Sequence, residues 1–188
     1  MSKISKQKTE YNNWYNTWYR LCNSKRILKG KRKDWENSCP NEPGFYLIRC
    51  PRIPFPEKYL KIGIGQGEGS TTKKNPRKGL RQRLYDNHFG GGFDGSVLNR
   101  RLGKEDEKFD KDLHSYVLKK FKKNLIDKED RIWFLENECI VQFISSKKLK
   151  EKYGTLKTPI EDKIQDYLVE RKNVRIIDMK KHIPLSFK

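Results

Sequence analysis

Hydrophobic positions along the chain change period several times, and each change marks an element. From Thr9 to Cys22 the aromatics Tyr11, Trp14, Tyr15, Trp18 and Tyr19 recur at steps of three and four, which predicts a helix opened by Thr9. Its stripe reads either as a face docked on the domain or as a platform for stacked bases. Ser24 to Asp34 form a basic linker or strand, and a turn rich in Pro, Asn and Glu comes next at residues 37–43. Gly44-Phe45-Tyr46-Leu47-Ile48 reads as a short strand. Residues 49–58 carry Pro51, Pro54 and Pro56, which exclude a central strand there. Tyr59 to Ile64 alternates, with Leu60, Ile62 and Ile64 on one face and Tyr59, Lys61 and Gly63 on the other. Together these segments predict an antiparallel hairpin.

Residues 65–75 are rich in Gly, Thr and Lys but lack the Gly-Lys-Thr/Ser ending of a phosphate-cradling loop. Pro76, at a favoured first position, predicts a helix running to Asn87 with Leu80 and Leu84 inward, stopped by Gly90-Gly91-Gly92. A further helix is expected over Ser96–Leu102, and the acidic stretch 105–112 reads as a loop. Residues 113–126 admit a helix over His114–Phe121 and a third strand over Phe121–Ile126. Asp127 to Ile144 gives the clearest helical pattern, with Asp127 and Asp130 as a capping pair and Glu129 at the positive end of the dipole. The tail from 145 mixes basic and apolar segments, with a helix expected over Ile160–Val169 and a strand over Val174–Ile177.

Composition narrows the partner. The 188 residues hold 43 Lys and Arg against 24 Asp and Glu, a net charge of +19. Nine Phe, nine Tyr and four Trp supply enough apolar surface for one modest core and exclude a disordered chain. The basic residues recur in clusters, at 25–33, 73–83, 119–123 and 147–152. Clusters spread over a folded chain point to a polyanion-binding surface, which gains affinity by releasing counterions from phosphates. Nucleic acid is therefore the expected partner. No apolar run approaches the ~20 residues a bilayer requires, and no secretory signal comes after Met1. The four cysteines, at 22, 39, 50 and 139, lack zinc-ligand spacing and are too few for a disulfide framework, so free thiols in a reducing cytoplasm are expected.

One carboxylate stands out. On a helix continued through Ile144, with Ile132 at zero and about 100° per residue, Cys139 falls near −20°, Phe143 near 20° and Ile140 near 80°. Glu136, at about 40°, is centred on that apolar stripe, whereas Glu138, at about −120°, lies on the polar side. A carboxylate facing a core is costly unless something neutralises it, either an internal arginine or a metal ion.

These residues fall in an order that resembles the GIY-YIG nuclease superfamily: Gly44-Phe45-Tyr46, then Lys61-Ile62-Gly63, then Arg83-Leu84 on a helix, then Leu135-Glu136-Asn137 on a later one. The match covers about residues 44–144. The resemblance implies an α+β domain, a small three-stranded antiparallel sheet flanked by helices, cutting phosphodiester bonds of double-stranded DNA. It divides the chain into a basic, aromatic helical extension (1–40), the nuclease domain (41–146) and a basic extension (147–188). By position, Tyr46 matches the first-motif tyrosine, Arg83 the phosphate-clamping arginine, and Glu136 the single metal-binding glutamate. That metal is expected to be Mg²⁺ or another divalent cation such as Mn²⁺. Lys61 replaces the second-motif tyrosine, and Tyr59, two residues earlier, is the fallback. His88 lies five residues after Arg83, where the family's His or Tyr falls about four after, and reads equally as catalytic or as a satisfied histidine. Arg81 competes with Arg83.

The nuclease reading is most specifically a Type II restriction endonuclease, acting as a homodimer because two strands need two active sites. A homing or phage-encoded nuclease is the alternative. A DNA-binding module without catalysis, or an RNA-binding protein stacking bases on Trp14, Tyr15 and Trp18, are the readings of another class.

Overall fold

The computed structural model describes residues 16–17, 19–35, 38–53, 58–65, 79–89, 96–103, 111–145, 165 and 175–176. Three strands make the centre of one sheet: β2 (Gly44–Arg49), β3 (Lys58–Gly65) and β4 (Ile140–Ser145). Two short strands, β1 (Ile27–Lys29) and β5 (Arg175–Ile176), extend it in the order β1-β4-β2-β3-β5. All pairings are antiparallel except β3 with β5. The expected hairpin is present, with Tyr46 opposite Gly63 and Ile48 opposite Lys61, and a register shift at Ile48/Arg49. The chain is thus an α+β protein built on a three-stranded antiparallel sheet.

The third central strand is not where the sequence pattern put it. Residues 121–126 end a helix and enter a turn, whereas 140–144, read as helix, form β4 together with Ser145. The reason is burial on both faces. Val141 and Phe143 lie opposite Ile48 and Tyr46, facing the helices, while Gln142 lies opposite Leu47 on the other side. All five residues from Gly44 to Ile48 are likewise buried. A strand covered on both sides loses its alternation, and a continuous apolar run is indistinguishable from a helical stripe by period alone. The β-branched Ile140-Val141 pair then favours the strand.

Three α-helices lie between β3 and β4: α1 (Val97–Leu102), α2 (Lys111–Phe121) and α3 (Lys128–Asn137). Residues 111 and 112, read as loop, open α2. Leu80, Leu84, Leu98, Leu102, Leu113, Val117 and Phe134 join Tyr46, Ile48, Val141 and Phe143 in one core cluster. Asp127 holds the N-cap position of α3 without a side-chain cap bond. Asp130 instead turns back, accepting hydrogen bonds from Asn124 N (2.7 Å) and Lys123 Nζ (2.8 Å), so the expected capping pair is replaced by a closed turn before the helix.

The other sheet face is closed by the N-terminal segment. Residues 19–22 are helical; Leu21 is fully buried, and Tyr19, expected on an inward stripe, is exposed. Tyr11, Trp14, Tyr15 and Trp18 lie outside the described residues. Gln142 Nε2 donates to Cys22 O and Ser24 O, and Gln142 Oε1 accepts from Arg49 Nε at 2.7 Å, so the buried amide of β4 ties this segment to the sheet. The extension assigned to 1–40 therefore contributes β1 and part of the core. Among the described residues no helix is long and apolar enough to cross a membrane.

All four cysteines are free. Cys50 follows β2 and Cys139 precedes β4, and their side chains hydrogen-bond to each other. Burial raises the Cys139 thiol, and its hydrogen bond lowers that of Cys50. Cys39 is pushed up to about 12 by burial.

Candidate active site

Tyr46 sits mid-strand in the centre of the sheet with its side chain fully buried. Its ring can lie across β3 only because residue 63 is glycine: a Cβ there would come within 2.3 Å of Tyr46 Oη and 2.4 Å of Cζ. Gly63 is thus the floor under Tyr46.

The phenol reaches His88, with Tyr46 Oη 2.7 Å from His88 Nε2. His88 ends the helical stretch that begins at Leu80. Gln82–His88 is a π-helix, closed by a bond from Phe89 N to Leu84 O at 3.1 Å. In a ladder that bonds i to i+5, residue i+5 stacks over residue i, as i+4 does in an α-helix. His88, five residues after Arg83, therefore stacks over it. The start of this segment is anchored by Leu80 N to Glu42 O and Arg81 N to Pro40 O, each at 3.0 Å. Gly79 makes that approach feasible, since a Cβ would lie 2.5 Å from the backbone of Glu42.

His88 is held on its far side as well. Its Nδ1 is 2.9 Å from Ser96 Oγ, and its main-chain carbonyl accepts from Asn99 Nδ2 at 3.0 Å. His88, Ser96 and Asn99 are all buried. Neither Ser96 nor Asn99 stands out in the sequence as a site residue. Ser96 registers there only as a helix start, and Asn99 carries no motif.

Arg83 is exposed, on the same turn as His88. Arg81 is half-buried and close enough to Cys39 to act on its thiol. Lys61 holds the register position opposite Ile48, two residues before Gly63, and the side chains of Lys61 and Tyr59 lie outside the described residues.

Glu136 is half-buried on α3. The wheel that centred it on an apolar stripe is corrected by the end of the helix at Asn137, because Cys139 lies beyond that end and Ile140 and Phe143 belong to β4. The buried face of α3 is Arg131, Phe134 and Leu135, roughly 150° round the helix from Glu136. Glu138 is the carboxylate that meets an arginine: its side chain is 9% exposed and lies 3.3 Å from Arg52 Nη1. Arg52 itself is 66% exposed, so this is a pair at the surface and not an internal one.

Among the described residues no three His, Cys, Asp or Glu side chains cluster as a metal cage. Mg²⁺ does not require one, since it takes one or two carboxylates and keeps its waters and substrate phosphate oxygens. A half-buried Glu136 fits that limited demand. Compared with family models, with curated proteins and with solved structures, the chain has no significant match.

Proposed function

We propose that the chain is a metal-dependent DNA endonuclease of the GIY-YIG kind, most specifically a Type II restriction endonuclease working as a homodimer in the cytoplasm. The observation that carries this reading is the hydrogen bond from the first-motif tyrosine, Tyr46, to His88, made over the second-motif glycine, Gly63. A phenol backed by an imidazole can take a proton from water while passing its own to the ring.

In this reading the attacking water loses its proton to Tyr46 Oη, and the phenolic proton moves to His88 Nε2. The hydroxide forms the new bond to phosphorus as the bond to the leaving oxygen breaks. Arg83 stabilises the charge that builds on the phosphoryl oxygens, and Lys61, two residues before Gly63 on the same strand, adds positive charge. Glu136 would hold the divalent cation, which would supply Lewis-acid stabilisation of the charge built up in the transition state. The net charge of +19 favours a polyanionic substrate, and the exposed Lys25, Arg26, Lys29, Lys31 and Lys33 around β1 offer phosphate contacts outside the site.

The complete burial of Tyr46 favours a second reading, a DNA-binding module on the same scaffold in which Tyr46–His88 is a core hydrogen bond. Incubation of the purified chain with unmethylated phage or plasmid DNA, with Mg²⁺ and with EDTA, separates the readings. Discrete metal-dependent bands support the restriction enzyme, and a smear supports a loosely specific homing or phage-type nuclease. Shifted but intact DNA with every metal tried overturns catalysis.

A further inference from the structure

Ser96 occupies the N-cap of α1, with φ −74° and ψ 125°. That extended geometry is the one in which a serine hydroxyl accepts from the exposed N–H groups of the first turn. Ser96 makes no such bond. Its Oγ is turned instead to His88 Nδ1 at 2.9 Å, inside a residue only 6% exposed. Three residues on, Asn99 from the same helix takes the His88 carbonyl. One short helix therefore grips both the ring and the main chain of His88, and gives up its own cap to do so.

The ring lies between two hydroxyls, Tyr46 on Nε2 and Ser96 on Nδ1. A neutral imidazole must donate from one nitrogen and accept at the other. The phenol is much the stronger acid of the two hydroxyls, so it is the donor to the ring. We infer that Ser96 is a positioning residue: it accepts Nδ1–H of His88 and so fixes the tautomer whose Nε2 lone pair faces Tyr46. This rests on the nuclease reading for its catalytic meaning, while the tautomer follows from the two contacts and the greater acidity of the phenol. Removing the Ser96 hydroxyl takes away the acceptor seen at Nδ1, and an Nε2–H ring cannot receive the phenolic proton.

The test uses the full chain, labelled with ¹⁵N, at a pH where the imidazole is neutral. Long-range ¹H–¹⁵N spectra report which ring nitrogen carries the proton, and His88→Gln identifies the His88 signals among the three histidines. The wild-type ring is expected in a single Nδ1–H form, lost or mixed in Ser96→Ala and retained in Ser96→Thr. A wild-type Nε2–H form, or an unchanged Nδ1–H form in Ser96→Ala, overturns the inference. On DNA, Ser96→Ala is expected to lower kcat by about 10- to 100-fold at unchanged KM, the scale on which outer partners orient functional histidines, and Ser96→Thr to recover most of it. An equal loss in both variants overturns the role of the hydroxyl. If the wild-type chain cuts no DNA, the nuclease reading fails by itself and the spectra still decide the role of Ser96.

Discussion

Gly63 lies directly across the sheet from Tyr46, and the space that its missing side chain leaves is filled by the tyrosine's phenol. This makes the two short motifs one structural unit. Replacing Gly63 by Ala puts a methyl carbon 2.3 Å from Tyr46 Oη, so the ring must move and its bond to His88 must stretch or break. Overpacking of this kind costs about 1–3 kcal/mol. Thermal melting of Gly63→Ala should fall accordingly, and cleavage should fall further than stability does, because the proton path is displaced along with the ring. Cleavage at wild-type rate would show that the Tyr46 position is not used.

Tyr46→Phe removes one hydroxyl and leaves His88 Nε2 buried without its partner. The unmet imidazole costs about 1–3 kcal/mol. If the pair transfers a proton, activity drops by about 10²–10⁴-fold, the usual share of general acid–base catalysis. The double variant with His88→Ala should be little slower than either single one, since each breaks the same path. Additive losses in a double-mutant cycle would mean that the two residues act separately.

Legibility of this fold tracked burial. The β2–β3 hairpin could be read because β3 keeps period two and the prolines of 51–56 exclude a continuous strand. The β4 strand could not, because Ile140 to Ile144 is covered on both faces and mimics a helical stripe. The consequence reaches the site: a helical wheel run through Ile144 turns Glu136 inward and Glu138 outward, whereas the helix ends at Asn137. The π-turn over Gln82–His88 has no residue-type signature, so the stacking of His88 over Arg83 is not legible in the sequence. Ser96 and Asn99 were invisible for a simpler reason. Each acts through one hydrogen bond made possible by a tertiary contact, and neither Ser nor Asn at the start of a helix is unusual.

Asp130 gives the acid-side prediction. Its carboxylate accepts from Lys123 Nζ and Asn124 N, which hold it below its ordinary value of 3.8. A group lowered on folding stabilises the charged native state fully above its unfolded value, and that contribution is lost as pH falls through the lower folded value. The thermal midpoint of Asp130→Asn should therefore lie below wild type at neutral pH, with the gap closing as pH drops below 3.8. A gap independent of pH would assign the loss to the turn's geometry and not to the charge.

The two carboxylates of α3's end separate metal binding from packing. Glu138→Ala removes the partner of Arg52, whose side chain is 66% exposed and readily rehydrated, so the cost should stay near the ~0–1 kcal/mol of a surface pair. Cleavage should survive it, because Arg52 and Glu138 tie the β2–β3 loop to the end of α3 and take no part in the proposed chemistry. Glu136→Ala should do the opposite. The residue is off the buried face of its helix, so stability and DNA binding should hold, while Mg²⁺-dependent cleavage should disappear. Titrating Mg²⁺ and Mn²⁺ against cleavage for both variants decides the assignment. If Glu138→Ala is the inactive protein and Glu136→Ala cuts normally, the metal ligand is the carboxylate that pairs with Arg52, and the register of the last motif must be moved by two residues.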